Sequence, residues 1–558
     1  MKKNKNTSAF ARSLPRREFM RYAGMGSLLL ATSPFSLLGS KPSRFSLPTQ
    51  GQSAFEPDLE IALRAAPAEV AIYSGRPTRV WRYQAEVLKG PAGAVQNIEG
   101  SYLGPIIRAQ RGQKVRIRYH NDIPEESIVH FHGLHVPAVM DGHPRYVVSQ
   151  GEQYVYEFEL LNRAGTYWYH PHPHGRTGPQ VYQGMAGLFI ISDAEEAALP
   201  LPRDEFDIPL VLQDRTFDRD NQLVYLSGGR MMGGMMDRMQ GFTGDRIFVN
   251  GQPDFSLSVA TRAYRLRLLN GSNSRVYKLA WDDGSPMVVI GTDGGLLQRP
   301  LQRDYVVIGP GQRLELWADF SNKPVGSRIT LRSLEFSSAL TGGGMGGGMM
   351  RGRGMMGRRR RSSSALPVGS DFEVLTVTVD RREQETLTLP ARLTAIERHD
   401  PRDAVNSEAP RTFTMRMQHM NWTINGRTFE MTAVADDEVV RAGTLEMWQL
   451  INSGGGRRRR GMMMGGMGGG MMNMVHPIHL HGEQFQVYSR ETAPSQRDDW
   501  DSVRHGVIDE GWQDVVLLFP GQKIKILRRF DDFKGLFLYH CHNLEHEDMG
   551  MMRNFLVT

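Results

Sequence analysis

The stretch KVRIRYHND, residues 114–122, alternates apolar residues with charged or polar ones and closes on an Asn-Asp pair. Apolar residues such as Val115 and Ile117 occupy every second position, which is the pattern of a strand with one buried face. Two later stretches, YRLRLLNGS at 264–272 and EMWQLINSG at 446–454, share this character and also reach an asparagine near their ends. We therefore predict that one strand-forming element occurs three times along the chain.

The spacing of the three copies indicates the size of the repeating unit. Asn121 and Asn270 lie 149 positions apart, and Asn270 and Asn452 lie 182 apart. Leaving out a 27-residue stretch rich in Met, Gly and Arg at 339–365 reduces the second interval to about 155. In a chain of 558 residues, this spacing predicts an all-β fold of three sequential Greek-key β-sandwich domains.

The predicted organisation has its first domain at 55–195, its second at 200–338, a low-complexity insertion at 339–365, and its third domain at 370–558 with a second low-complexity loop at 454–474. Three Met/Gly-rich segments, at 230–241, 342–361 and 457–474, contain 17 of the 31 methionines. Glycine disfavours both helix and strand, so these segments are expected to be irregular and to lie outside the core.

Residues 1–45 are predicted to be an export signal. Arg16 and Arg17 precede Phe19, and a modest apolar stretch follows at 22–38. The segment resembles the twin-arginine signal, whose export machinery moves folded proteins; an ordinary Sec signal is the alternative. The expected location is therefore the periplasm, with the twin-arginine machinery as a transient partner.

Charge and cysteine content exclude several classes of protein. The net charge is +7, but residues 1–40 carry seven Lys/Arg and one Glu, so the remainder carries about +1 and gives no reason to expect nucleic-acid binding. Beyond the N-terminal region, no apolar run approaches the ~18 residues of a membrane span. A single cysteine cannot form an internal disulfide and needs another explanation. The chain is expected to be a monomer without stable membrane insertion.

Four short motifs contain eleven of the 17 histidines. Two belong to the first repeat and two to the third, whereas the second repeat has none. The motifs are HFHG (His130, His132), WYHPHPHG (His170, His172, His174), HPIHLHG (His476, His479, His481) and YHCHNLEH (His540, His542, His546).

Strand parity separates the histidines around the single cysteine. Residues two apart on a strand point to the same face, and neighbours point to opposite faces. His540 and His542 are therefore expected to face away from Cys541. In the third motif, His476 stands an odd number of positions from His479, so its side chain is expected to face away from that of His479. The parity predicts two sites, back to back across one strand.

The cysteine side offers one thiolate, two imidazoles and a thioether. Cys541, His476 and His546, with a weak axial Met549, Met551 or Met552, form the ligand set of a blue electron-transfer copper. The other side holds four His-x-His pairs, too many imidazoles for one ion. Divided as three, three and two, they would hold three metals, and neutral imidazole suits copper.

Two other chemistries fit the motifs less well. A mononuclear zinc hydrolase would be expected to carry a His-Glu-x-x-His motif, and none occurs. A nucleophilic Cys541 with His540 or His542 as its base would leave the other motif histidines unexplained.

The segments TYWYHPHPHGRTGPQVYQGMAGLFII, YRLRLLNGSNSR, TDGGLL and HCHNLEHEDMGMM resemble the multicopper oxidases, most closely the bacterial three-domain, laccase-like copper-efflux oxidases. The resemblance extends over nearly the whole chain after the signal. It implies three cupredoxin domains and four copper ions per chain.

The resemblance also implies a role for each ligand. Cys541, His476 and His546 would bind the type 1 copper with Met551 axial; His130 and His479 would bind the type 2 copper; His132, His170 and His542 would bind one type 3 ion and His172, His481 and His540 the other. His174 receives no role. Asp141 and Glu547 match the family's proton-relay acids, the alternative being a turn aspartate and a solvated glutamate.

The implied reaction transfers electrons from a reducing substrate to O₂, which is reduced to water. In the copper-efflux type the substrate is Cu(I), held by methionines, and soft thioethers select Cu(I). Met474 matches a substrate-site position, and Met472 stands where that group commonly has Asp. Alternatives are a phenol-oxidising laccase, a copper-sequestering protein without enzymatic activity, and a relative that kept the fold and lost the metals.

Overall fold

The computed structural model describes residues 55–226, 231–341, 366–453 and 474–558. The predicted signal at 1–45, most of the later Met/Gly-rich stretches and the substrate candidate Met472 lie outside these residues. The described residues form mainly β-strands, arranged in six sheets. The predicted all-β fold class is confirmed.

The first pair of sheets contains nine strands. One sheet has the order β2-β1-β5-β7 and the other β3-β4-β9-β8-β6. The strands are β1 (Leu59–Val70), β2 (Thr78–Lys89), β3 (Val95–Gln96), β4 (Ile106–Gln110), β5 (Lys114–Asn121), β6 (Val129–His132), β7 (Gln153–Glu159), β8 (Gly165–Pro171) and β9 (Gly187–Ser192).

The middle pair of sheets contains twelve strands. The orders are β12-β11-β10-β14-β19-β16-β17 and β13-β21-β20-β15-β18. The strands are β10 (Asp207–Arg215), β11 (Arg246–Val249), β12 (Gln252–Pro253), β13 (Ser256–Ala260), β14 (Ala263–Asn270), β15 (Tyr277–Trp281), β16 (Met287–Thr292), β17 (Gly295–Arg303), β18 (Val306–Ile308), β19 (Arg313–Asp319), β20 (Arg328–Ser333) and β21 (Phe372–Arg381).

The third pair of sheets contains ten strands. The orders are β23-β22-β25-β29-β27 and β24-β31-β30-β26-β28. The strands are β22 (Arg411–Gln418), β23 (Asn421–Ile424), β24 (Val439–Val440), β25 (Thr444–Asn452), β26 (His476–Leu480), β27 (Phe485–Thr492), β28 (Val515–Leu518), β29 (Gln522–Phe530), β30 (Gly535–Cys541) and β31 (Met552–Val557).

The described helices are short: α1 (Thr177–Tyr182), α2 (Ala194–Ala197), α3 (Met231–Gln240), α4 (Arg497–Asp501) and α5 (Leu544–Asp548). In the part of the chain that the structure describes, none of them has the length and apolar character to cross a membrane. The strands therefore determine the architecture.

The three repeated stretches form equivalent strands, β5, β14 and β25. Each pairs parallel with one neighbour and antiparallel with another. The closing asparagine makes equivalent hydrogen bonds in each strand, in which its side-chain amide donates to two backbone carbonyls. These pairs are Glu125 and Val148 for Asn121, Arg275 and Ile308 for Asn270, and Met474 and Leu518 for Asn452.

Each pair of sheets encloses its own apolar cluster, and each therefore packs as a sandwich. Alternation along β5 matches the prediction, with Val115 and Ile117 buried and the alternating charged residues Lys114, Arg116 and Arg118 more exposed. Members of the three clusters include Ile61 and Phe189 in the first, Leu266 and Leu331 in the middle, and Trp448 and Ile478 in the third.

Strand β21 belongs to the middle sandwich, although the predicted domain boundary assigns it to the third domain. The third domain was predicted to begin at residue 370, but β21 pairs parallel with β13 and antiparallel with β20 of the middle sandwich. Val377 and Val379 are buried in the middle cluster, and β13 would lack its ladder partner without β21. The insertion at 339–365 therefore interrupts the middle sandwich.

Helix α3 corrects the expectation for the first Met/Gly-rich segment, 230–241. Met, Gln and Arg form helices readily, and each glycine costs only about 1 kcal/mol relative to alanine. At the C-terminal end of the helix, Met239 is buried against the third sandwich, and its carbonyl accepts a hydrogen bond from Trp422 Nε1 at 3.1 Å. Tertiary packing thus stabilises a helix that composition did not predict and brings one methionine into the core.

Candidate metal centre

Strands β26 and β30 lie side by side and carry both halves of the predicted metal centre. Their register places His479 opposite His540 and Ile478 opposite Cys541. Because neighbouring residues point to opposite faces of a strand, the histidine and the cysteine of β30 enter two different clusters.

The cysteine cluster has the dimensions of a copper site. Cys541 Sγ lies 3.5 Å from His476 Nδ1 and 3.7 Å from His546 Nδ1, and all three side chains are buried. Donors about 2.0–2.3 Å from one ion at trigonal angles would lie about 3.7 Å apart. These three side chains therefore fit one copper ion.

Helix α5 and the segment after it complete the cysteine cluster. Asn543 caps the helix by accepting a hydrogen bond from the His546 backbone N–H. The Met551 N–H then donates to the His546 carbonyl at 2.9 Å, and the Met551 carbonyl accepts from Cys541 N at 3.0 Å. Met551 is buried in the same apolar cluster as Cys541, whereas Met552 packs in a different one. Met551 is accordingly the better placed of these two methionines.

Burial keeps the isolated donors neutral. It raises the pKa of the Cys541 thiol well above its usual value and lowers the pKa of His476 to about 3. Neutral imidazoles present lone pairs to a metal, and a nearby cation is what makes a buried thiol ionise. The donor set therefore suits a soft, positively charged ion.

Eight of the nine remaining motif histidines meet where β6 and β8 of the first sandwich face β26 and β30 of the third. Three groups of donor atoms lie close enough to share an ion, and every member is buried. The groups are His130, His132 and His479; His132, His170 and His542; and His172, His481 and His540. The last two have the membership that the resemblance assigns to the type 3 ions.

His130 and His479 point their lone pairs at each other. His130 Nδ1 donates to the Asp141 carbonyl at 2.6 Å, and His479 Nδ1 donates to the Asp514 carbonyl at 2.8 Å. Each Nε2 is then an acceptor, and the two Nε2 atoms lie 3.3 Å apart. A cation between them relieves the repulsion, so these residues fit the type 2 copper.

A second set of imidazole nitrogens converges near His540. Its Nε2 lies 3.1 Å from His481 Nε2 and 3.3 Å from His172 Nε2. His481 donates through Nδ1 to Asp141 Oδ2 at 2.7 Å, which makes its Nε2 an acceptor. Burial lowers the pKa of His481 and His172, so these rings are neutral. Three imidazole nitrogens at this spacing fit a metal ion.

Asp141 contacts histidines of two predicted metal sites. Its carbonyl orients His130, and its carboxylate orients His481. The side chain is fully buried, Oδ1 makes no hydrogen bond within the described residues, and burial raises its pKa well above the usual value. Gly142 is left-handed, and a Cβ there would lie 2.3 Å from the Val129 carbonyl. The Asp-Gly pair therefore holds the carboxyl against the cluster.

Glu547 also lies inside the cluster. Its Oε2 is 3.1 Å from His540 Nδ1, its Oε1 is 3.6 Å from His172 Nε2, and the side chain is 1% exposed. This burial contradicts the alternative of a solvated glutamate. Both predicted acids stand where a proton could be passed to the cluster.

Two other sequence candidates belong to none of the donor groups described above. His174 is exposed and packs against Phe429, outside the three histidine groups. Met474 is buried in the apolar cluster of Cys541.

Sequence reasoning missed several residues that support the ligands. Asp514 contacts His132 and His479, and Arg313 holds Asp514. Trp422 packs against both histidines of the cysteine cluster, with ring centroids 4.9 Å from His476 and 4.4 Å from His546. The sequence signal that could have identified Asp514 is a charged residue beside an apolar stretch, as in QDVVLL at 513–518.

Three β-sandwiches, a Cys-His₂ site and an imidazole-lined cluster are the features expected of a protein that binds copper at two neighbouring sites. Multicopper oxidase family models match residues 79–196 and 404–558. The chain is 30% identical over 524 residues to a laccase from Bacillus stratosphericus, covering 86% of this chain and 90% of the relative. It is 30% identical over 504 residues to a bilirubin oxidase from Albifimbria verrucaria, covering 86% and 77%.

Among solved structures, the McoA multicopper oxidase from Aquifex aeolicus aligns with a TM-score of 0.71 and 31% identity, covering 90% of this chain and 97% of that one. The chain belongs to the multicopper oxidase family. Members of this family are copper oxidoreductases that use O₂ and a reducing substrate.

Proposed function

We propose that this oxidase converts Cu(I) to Cu(II) in copper tolerance and couples that oxidation to the four-electron reduction of O₂ to water. It would hold four coppers: one with Cys541, His476, His546 and Met551, and three among the His-x-His pairs. The observation that carries the proposal is the placement of a Cys-His₂ site and a histidine cluster on opposite faces of β30.

The chain itself connects the two sites. Cys541 is covalently continuous with His540 and His542, so one peptide unit on each side separates the thiolate from a cluster ligand. When bound, copper supplies the one-electron chemistry at the first site and O₂ reduction at the second. The protein fixes the ligands and the distance between them.

Protons for water formation would pass from solvent to the cluster by way of the two buried acids. Asp141 can carry a proton on Oδ1 while Oδ2 accepts from His481. Glu547 lies against His540 and His172 on another part of the cluster. Each carboxyl is thus within reach of a histidine group in which oxygen would be reduced.

Helix α3 supports a small inorganic substrate over a phenol. The outer nitrogen of His546, Nε2, donates to the Met239 carbonyl at 3.1 Å, and the same carbonyl accepts from Trp422. A planar phenol that needed direct contact with this imidazole edge would have to displace the end of the helix. A metal ion that delivers an electron through the hydrogen-bonded peptide would not.

Methionine content supports the same substrate. Soft thioether ligands select Cu(I), and 17 methionines stand in the three Met/Gly-rich segments. Met474 lies two residues before the ligand His476. These features favour capture of cuprous ion close to the electron-entry site.

O₂ consumption by the copper-loaded protein, supplied in turn with buffered Cu(I) and with a phenol, tests the proposal. We expect faster turnover of Cu(I) than of the phenol. We expect the Cu(I) turnover to fall about tenfold when 461–472 is replaced by a Gly/Ser linker, because removing the thioethers weakens cuprous-ion binding by roughly 1.4 kcal/mol. A control with every methionine of 461–472 changed to leucine keeps length and apolar character but removes the thioethers. It should lose as much Cu(I) turnover as the linker variant.

A phenol-oxidising laccase is the second candidate, favoured by the names of the similar proteins, a laccase and a bilirubin oxidase. Preference for the phenol, unchanged or increased after the replacement, would establish this alternative. Tight copper binding without O₂ consumption on any reductant would instead indicate a copper-sequestering protein.

We also propose that the chain reaches the periplasm by the twin-arginine route. Changing Arg16 and Arg17 to lysine should leave most of the protein in the cytoplasmic fraction, because this export machinery recognises the arginine pair. Cell fractionation with immunoblotting measures the distribution, and Arg12→Lys is the matched control. Undiminished export of the double variant would favour an ordinary Sec signal.

A further inference from the structure

The middle sandwich reaches the histidine cluster although residues 200–338 contain no histidine. Gly311 is left-handed, with φ +82°, and a Cβ there would lie 3.0 Å from the ring of His542. Two residues later, Arg313 begins β19 and is fully buried. A loop of the ligand-free sandwich therefore closes one side of the cluster.

Arg313 contacts all three sandwiches. Its Nε donates to the Thr166 carbonyl on β8 at 2.9 Å. Its two terminal nitrogens form a fork on the Asp514 carboxylate at 2.7 and 2.5 Å, and one of them also donates to the Asp293 carbonyl at 3.1 Å. A bidentate arginine–carboxylate pair fixes orientation as well as distance.

Asp293 strengthens this arrangement from the middle sandwich. One carboxylate oxygen accepts from the Arg313 backbone N–H at 2.7 Å, and the other accepts from Val515 N at 3.1 Å. The backbone on both sides of the Arg313–Asp514 pair is therefore held by one side chain.

Asp514 passes this orientation to two histidines. Its Oδ1 accepts from His132 Nε2 at 3.0 Å, and its backbone carbonyl accepts from His479 Nδ1 at 2.8 Å. Gly133 follows His132, and a Cβ at that glycine would lie 2.4 Å from Asp514 Oδ2. A side chain at position 133 would therefore collide with the Asp514 carboxylate and push it away from the cluster.

The contact with Asp514 reverses the tautomer of His132. His130 and His479 donate through Nδ1 and direct Nε2 to the cluster. His132 donates through Nε2, which leaves Nδ1 buried and, among the described residues, without a hydrogen-bond partner. Since the opposite tautomer would place two acceptors 3.0 Å apart, the carboxylate determines which nitrogen of His132 faces a metal.

We propose that Arg313 is a positioning residue for the histidine cluster. Through Asp514 it sets the tautomer of His132 and the orientation of His479, so the ligand-free middle sandwich controls copper retention in a cluster built by the other two. The inference rests on the proposed assignment of copper to these histidines.

Stepwise removal of copper by a chelator tests the role of Arg313. Loss of the type 2 electron paramagnetic resonance signal and of total copper is followed, with the blue absorption of the cysteine site as an internal reference. For Arg313→Gln we expect loss of the type 2 signal at 10- to 100-fold lower chelator concentration, the usual effect of removing an outer hydrogen-bond partner of a ligand. Arg313→Lys, which keeps the charge but not the fork, should show a smaller shift.

Arg275→Lys is the matched control. Arg275 is also buried, donates through Nε to Asp214 at 2.8 Å, and belongs to the same sandwich, but its hydrogen bonds go to Asp214, Gly244 and Leu366. This variant should keep the chelator resistance of the unaltered chain. Unchanged resistance in Arg313→Gln, or a parallel loss of blue absorption and type 2 signal, would overturn the inference.

A folding defect in Arg313→Gln is met by the double variant Arg313→Gln/Asp514→Asn, which also removes the Asp514 carboxylate that the single variant would leave without its bidentate partner. It should show the same selective loss of cluster copper, and retention equal to the unaltered chain would reject the role. The proposed function fails separately: an unaltered chain with far fewer than four coppers and no type 2 signal would remove the copper assignment itself.

Discussion

Replacing Cys541 with serine is expected to abolish the blue absorption and to lower O₂ consumption with any reductant by at least about 10³-fold, since the metal-dependent electron transfer is lost. Serine preserves the size of the side chain but offers a hard hydroxyl in place of the soft thiolate, beside His476 and His546. Visible absorption, copper content and an oxygen electrode measure the effect. Copper content should fall by one ion per chain, because the histidine cluster keeps its ligands.

Met552→Leu is the control for Cys541→Ser. Met552 belongs to the same motif but packs in a different apolar cluster, and leucine conserves its volume. This variant should keep its blue colour and its activity. Blue absorption surviving in Cys541→Ser would show that the cysteine is not a copper ligand, and the assignment of both faces of β30 would have to be abandoned.

Replacing Asp141 with asparagine is expected to slow O₂ consumption by about 10²-fold while leaving the blue absorption intact, because a positioned proton donor is lost. The amide oxygen can still accept from His481 Nδ1, so the ligand geometry is largely preserved. Stopped-flow reoxidation of the reduced protein by O₂ isolates this step from substrate oxidation. Reduction of the blue copper by substrate should keep its normal rate.

Asp214→Asn is the control for Asp141→Asn. Asp214 is also buried, but it pairs with Arg275 in the middle sandwich and contacts none of the motif histidines among the described residues. Its reoxidation rate should match that of the unaltered chain. A normal reoxidation rate in Asp141→Asn would remove Asp141 from proton delivery and leave it the task of orienting His130 and His481.

The fold class could be predicted because strand periodicity is local. Alternation at every second residue is visible in any window of eight residues, and the repeated asparagine marks equivalent strands. The boundary near 370 was less predictable, since β21 joins the middle sandwich through pairing with β13, a segment more than 100 positions earlier. Pairing between distant strands leaves no signature in either strand alone.

The separation of Cys541 from His540 and His542 could also be predicted, for the same local reason. By contrast, the pairing of Arg313 with Asp514 became apparent only in the folded structure. Nothing about their spacing, 201 positions apart, indicates that they form a bidentate pair beside His132.

The all-β fold, the three-fold repeat and the chemical identity of the donors are predictable from the sequence, because side-chain alternation and ligand chemistry are properties of short segments. The folded structure was needed to establish which donors lie close enough to share an ion, which nitrogen of His132 faces the cluster, and why a sandwich without histidines contacts the site. Those outcomes depend on three sandwiches packing together, and packing between sheets is set by the shapes of buried surfaces that no single segment contains.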